Sequence, residues 1–212
     1  MRKYILTLTI CCAPLGAMAS TAAASSGQFL HSKYPNSAHA VQTTKHIFTI
    51  DGQGTECKTA ELNGSTQNGP ASELTLTPTF KECTAFGFGG ATIAVNGCTY
   101  RLTQPEGFAD NWAGGFAIKC PEGKKLVIAS GVLGSECKAE IGEQTLAAGV
   151  TYENDTTNGE VDLALNLTGI KATKVTDNGL CPLSGTGTAN NGTYEGPFTF
   201  KAASGGNLAV AG

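Results

Sequence analysis

The stretch His46–Leu62, HIFTIDGQGTECKTAEL, reads as two β-strands joined by a tight turn. Asp51-Gly52 separates the apolar run HIFTI from a run in which Thr55, Cys57 and Thr59 alternate with Glu56, Lys58 and Ala60. Alternation of period two on both sides of a D-G step predicts an antiparallel hairpin. The same grammar continues along the chain. In ATIAVNGCTYRL, Ala91–Leu102, Asn96-Gly97 is expected to join two paired strands, because both residues tolerate the positive φ that a type I′ turn demands. In ELTLTPTF, Leu74 and Leu76 alternate with Thr75 and Thr77, and Pro78, lacking an N–H, suggests an edge or a bulge. GGFAIK and KKLVIAS flank a turn at Cys120-Pro121-Glu122-Gly123, VDLALNLTGIKATKV follows NDTTNG, and GTYEGPFTFKA closes the series.

No segment shows a helical period, and the roughly 165 residues from His46 onward are enough for one β domain with a real core. The opening stretch also recurs. With an offset of eighty, Gly54-Thr-Glu-Cys57-Lys lies on Gly134-Ser-Glu-Cys137-Lys, and Ile47 and Phe48 lie on Val127 and Ile128. Each copy runs on into a long alternating strand and a further cysteine, Cys83 or Cys181. The expected fold is therefore all-β: an antiparallel β-sandwich of two pseudo-repeated halves, about 46–100 and 125–201, within one domain spanning 46–203. Chance similarity of two strands of biased composition is the plainer account of the repeat. Residues 20–45 read as a flexible lead-in and 204–212 as a flexible tail.

The chain begins with Arg2 and Lys3, an apolar run from Tyr4 to about Leu15, and Ala17-Met18-Ala19 as a cleavage site. This predicts a secretory signal peptide over 1–19, with a second small-residue site ending at Ala24. A lipoprotein anchored through Cys11 is disfavoured, since Ile10 stands where a small residue is wanted. Loss of Arg2 and Lys3 leaves 12 basic residues against 17 acidic ones, a net charge of −5, which argues against nucleic acid or an anionic membrane as partner of the mature form. Charged residues are 15% of the chain, below the ~25% of ordinary soluble domains, so Thr, Ser, Asn and Gly must make the surface.

Six cysteines follow the signal: Cys57, Cys83, Cys98, Cys120, Cys137 and Cys181. Their even number in an exported chain predicts disulfides, and their spacing offers no metal motif. Six cysteines allow fifteen connectivities. If the two copies are equivalent, symmetry favours Cys57 with Cys83 and Cys137 with Cys181, leaving Cys98 to Cys120.

Taken in order, TECKTAEL, LTLTPTFKECTAFGF, VNGCTY, IKCPEGKKLVI, NLTGIKAT and NGTYEGPFTFK resemble a family of small exported six-cysteine all-β proteins of soil actinobacteria. The resemblance runs from about His46 to Lys201 and rests on the ordered cysteines with the N-G-C-T-Y and C-P-x-G steps. It implies secretion and an all-β fold, and it brings no active site, ligand or cofactor.

Catalytic patterns are sparse. There is no G-x-S-x-G, and the three histidines, His31, His39 and His46, lie in or beside the lead-in, so a serine triad has little support. Glu153, Asp155, Glu160 and Asp162 flank the Asn158-Gly159 turn; they read as a solvated hairpin end, with paired carboxylates for glycan hydrolysis or an irregular calcium loop as the sharper alternatives. Asn-X-Ser/Thr triplets at Asn63, Asn154, Asn166 and Asn191 are expected from composition.

One loop stands apart: PEGFADNWAGGFAIK gathers Phe108, Asp110, Asn111 and the sole tryptophan, Trp112, between Cys98 and Cys120. Flat rings beside short polar groups suit a sugar surface, whereas Trp112 and Phe116 as core residues are the plainer reading. Phe86 and Phe88 in AFGFGG carry the same two readings. The expectation is a secreted, non-enzymatic protein that binds an extracellular polysaccharide or cell-surface component, with no catalytic residue, metal or cofactor assigned. A carboxylate-dependent glycan hydrolase and a structural envelope component are the alternatives.

Overall fold

The computed structural model describes residues 25–211 except 33–35, 67–68, 109–110, 133–134, 176–180, 184 and 204. The expected signal peptide lies outside the described residues. Within them the regular structure is all β: β1 (Ser25–Ser26), β2 (Gln28–His31), β3 (Asn36–Gln42), β4 (His46–Ile50), β5 (Gln53–Thr66), β6 (Glu73–Ala85), β7 (Phe88–Ala94), β8 (Thr99–Phe108), β9 (Asn111–Lys119), β10 (Leu126–Val132), β11 (Ser135–Ile141), β12 (Gln144–Asp155), β13 (Glu160–Lys174), β14 (Gly187–Ala202) and β15 (Leu208–Ala211). They form a large antiparallel sheet and a small one made of β2 and β15.

The pairings resolve the large sheet into eight lanes. β3 and β4 both run antiparallel to β5 on one side and β14 on the other, so they are one lane interrupted at Thr43–Lys45. β7 and β8 both run along β6. β9 lies against β8 and β12, while β10 lies against β7 and β11. β11 and β12 both run along β13, which pairs with β14. The order is therefore β3/β4, β5, β6, β7/β8, β9/β10, β11/β12, β13, β14, and then β3/β4 again. This is a closed up-and-down circuit, and eight lanes enclose an interior just wide enough for side chains to fill.

Alternation fills it. Leu74 and Leu76, Leu163, Leu165 and Leu167, and Phe198 and Phe200 point inward and are buried. In the middle, Phe48 stacks on Tyr194 with ring centroids 3.9 Å apart, and Tyr100 meets Phe116 edge-on at 4.8 Å. Each such ring contributes about 1.5–3 kcal/mol by leaving water.

The three disulfides join Cys57 to Cys83, Cys98 to Cys120 and Cys137 to Cys181, the pairing that symmetry favoured. They are not alike in place, however. Cys57 and Cys83 are direct partners on β5 and β6, whereas Cys137 of β11 reaches Cys181 in the segment between β13 and β14. The large sheet is one circuit rather than the two facing halves of a sandwich. The two similar stretches lie on β5 and β11, four lanes apart in a ring of eight.

Several expectations need correction. Within the expected lead-in, the described residues hold β2 and β3: β3 completes the ring, and Ala38 and Ala40 are buried at 1% and 0% exposure. Their small side chains hid the strand, although on the neighbouring lane Phe200 is the direct partner of Ala40 and Ala202 that of Ala38. Nor is the tail free, because β15 pairs with β2 and buries Leu208 and Val210. Asn154 fastens this small sheet, donating from Nδ2 to the Val210 carbonyl and accepting from the Val210 N–H, both at 2.8 Å. Asn96-Gly97 forms its turn, with φ of 53° and 81° and the Cys98 N–H donating to the Val95 carbonyl, but β7 and β8 do not pair with each other. The turn interrupts a lane. The turn at Cys120–Gly123 does the same between β9 and β10, and the Cys98–Cys120 disulfide bolts these two gaps together.

Candidate functional site

The alternation that fills the barrel also decides what faces out. On β12, Val150 and Tyr152 point in while Thr151 and Glu153 point out; on β13, Leu163 points in while Asp162 and Ala164 point out. Ala113 of β9, Pro197 and Thr199 of β14, and Thr43 at the lane interruption complete an outward-facing groove of about 480 Å³. It crosses five lanes. Its floor is small, because Ala113, Thr151 and Ala164 stand where larger residues would fill it.

Glu153 and Asp162 are direct cross-strand partners in this groove. Like charges directly opposite one another destabilise a sheet. Asp162 Oδ1 accepts from the Thr199 hydroxyl at 2.7 Å, and among the described residues neither carboxylate carries an ion pair. No basic side chain lines the groove.

A second, smaller groove of about 320 Å³ shares Ala113 and lies over Gly114 and Gly115. There β9 is flanked by irregularities on both sides, between Thr103 and Glu106 in β8 and between Leu146 and Val150 in β12. Gly114 is required by space, since a Cβ would sit 2.6 Å from the Thr103 carbonyl oxygen.

The other acids of the Glu153–Asp162 segment are engaged locally. Asp155 Oδ1 accepts from the N–H groups of Thr157 and Asn158, and Oδ2 from the Asn158 amide at 2.6 Å; these bonds hold its carboxyl below the usual range. Glu160 pairs with Lys201 at 2.7 Å, and Asn154 is taken by β15. Their oxygens do not converge, and among the described residues no group of three or more His, Cys, Asp or Glu is placed to hold a metal.

The sugar-binding loop is dispersed. Trp112 points into the barrel and is 4% exposed, and Phe116 is buried beside Tyr100. Asp110 lies outside the described residues, as do the side chains of Phe108 and Asn111, whose backbones pair at the end of the β8–β9 hairpin. Phe86 is buried, and Phe88 is half-buried against the core. Among the described residues no aromatic ring is exposed, so the outer wall offers hydrogen-bonding groups rather than a stacking platform.

Of the histidines, His39 bonds Asn63 Oδ1 at 2.7 Å on the surface, while His31 is buried in β2, where desolvation pushes its pKa down. His46 is fully buried at the β4–β14 contact, which sequence reasoning missed. Its Nε2–H donates to the Pro197 carbonyl at 3.1 Å, and its Nδ1 accepts from the Tyr194 hydroxyl at 2.9 Å. Burial lowers its pKa to about 4. The signal was the residue type itself, at an inward position of a strand.

No family model, no curated protein and no solved structure matches the chain.

Proposed function

We propose that this is an exported, non-enzymatic binding protein that takes an extended extracellular ligand, such as a polysaccharide of a cell surface, across the outer wall of its barrel. The groove between Thr43 and Ala113 carries the reading: a concavity within the usual ligand-site range of roughly 300–1,000 Å³, with a small-residue floor and acceptor side chains along it. Sugar hydroxyls would donate to Glu153, Asp162 and the threonines. Export is supported by the signal-like N-terminus, by three disulfides of the kind that persist outside the cytosol, and by the resemblance to the six-cysteine exported proteins of soil actinobacteria.

The test uses Ala164→Trp, which fills the groove from the outer face without touching the core. Wild type is expected to be retained on at least one immobilised cell-wall or plant polysaccharide, and the variant to pass through at an unchanged melting temperature. Equal retention of both proteins, or of neither on any polysaccharide of the panel, removes the reading.

A second reading rests on the Glu153–Asp162 pair. Carboxyls facing a groove from adjacent strands, where Cβ atoms lie roughly 4.5–5.5 Å apart, resemble the close pair of a retaining glycosidase. Reducing sugar released by wild type but not by Glu153→Gln would favour the hydrolase over the binder.

A further inference from the structure

The ring is closed by its first and last lanes, and that seam is interrupted. β14 pairs with β3 from Phe198 to Ala202 and with β4 from Thr193 to Glu195. Between these short ladders the first lane bends at Thr43–Lys45, and opposite the bend stand Gly196 and Pro197. The Pro197 carbonyl holds the gap, accepting from the Thr43 N–H at 3.2 Å and from His46 Nε2–H. The imidazole lies so close over Gly196 that a Cβ there would meet Nδ1 at 2.2 Å, and it packs on Phe198 with centroids 4.1 Å apart.

Both ring nitrogens are satisfied only when the ring is neutral, with Nε2 donating and Nδ1 accepting. A proton on Nδ1 would face the Tyr194 oxygen, whose own hydrogen would then need a new acceptor in an apolar interior. No described carboxylate faces the ring. From β14 it meets Tyr194; from β5 its direct partner is Cys57, which is disulfide-bonded; and beyond Tyr194 lies Tyr100 of β8. Lys45 and Glu56 are ion-paired on the outer face, and Glu195 points outward.

We propose that His46 is an acid-sensitive latch: its protonation opens the β14–β3/β4 seam locally while the rest of the ring stays closed. Because Thr43 and Pro197 form one end of the outer groove, opening also dismantles that end, a consequence that rests on the groove being the binding site. The latch itself does not depend on that reading.

Hydrogen exchange of the mature, disulfide-bonded chain, corrected for intrinsic rates and followed from pH 7.5 to 4.5, tests it without any ligand. Opening of peptides spanning 36–50 and 193–202 is expected to increase by about tenfold per pH unit below 6.5, the slope of one proton taken up on opening. Peptides from β9 and β12, which hold no histidine, should change far less. A seam indifferent to pH, or a rise shared by all peptides, overturns the proposal. His46→Gln is expected to flatten the dependence, and an unaltered slope in that variant also overturns it. Should the variant fail to fold, the Cε1 resonance of His46 in the wild type decides. Titration far below 6.5, in step with seam exchange, supports the latch; titration at 6.5 with a closed seam rules it out.

Discussion

At Gly196 the side chain is a hydrogen atom because the His46 ring occupies the place where any other residue would begin. Gly196→Ala is therefore expected to destabilise by about 1–3 kcal/mol, the range for forcing a group into a packed interior, as read from denaturant midpoints. Combining it with His46→Ala should recover part of the loss, because the smaller residue vacates the space; additive losses would place the cost of Gly196→Ala elsewhere. Trp112 makes a separate prediction. Buried at 4% exposure, it should emit at short wavelength and resist acrylamide. At this scale the sequence is legible wherever alternation carries large residues, as at Leu74, Leu76, Leu163 and Leu165. It is silent at Ala38 and Ala40, where small side chains sit on a buried strand, Ala40 between Phe200 and Leu62.

The D-G and N-G steps teach the same lesson for elements. Asp51 and Gly52 have φ of 48° and 75°, and Asn96 and Gly97 have 53° and 81°. The two turns are nearly identical, yet the first makes a hairpin and the second merely breaks a lane. Turn chemistry is local and was readable; which strand lies alongside is settled by contacts far along the chain. Pro78 shows a half-read signal, since it falls where β6 has β5 on one side and, between Leu76 and Cys83, no partner strand on the other. The outer groove was unreadable for the same reason: Glu153 and Asp162 were visible as acids, but Thr43, Ala113 and Thr199 join them only through lane order. Replacing Cys98 and Cys120 together by serine removes the bolt across two lane breaks and a loop of 22 residues, so a loss of roughly 3 kcal/mol is expected in the denaturation midpoint. A loss confined to β7–β10 in exchange would show that the bolt holds the breaks rather than the whole ring.

For the molecule as a whole, pH is the sharpest variable. His46 has its folded pKa near 4 against 6.5 when exposed, so the unfolded chain takes up the proton first. The stability it contributes is present above 6.5 and falls away between 6.5 and 4, by up to about 3 kcal/mol. His31, also lowered, acts in the same direction. Asp51, Glu140 and Asp155, held below their ordinary range, add losses that begin as pH falls through the ordinary carboxylate values, 4.5 for Glu140 and 3.8 for the two aspartates. Denaturant midpoints should therefore drop from pH 7 to 4.5, before any carboxylate dominates; a flat profile over that window would mean His46 is not buried as a neutral ring. Closure has a consequence in time as well. The first lane finds β5 within a few residues, but its other neighbour, β14, arrives about 150 residues later. Until then it is an open edge with unpaired N–H and C=O groups, the kind of template on which other chains add. Ring completion is thus the slow, non-local step of folding, and the interval before it is when the protein is most exposed to aggregation.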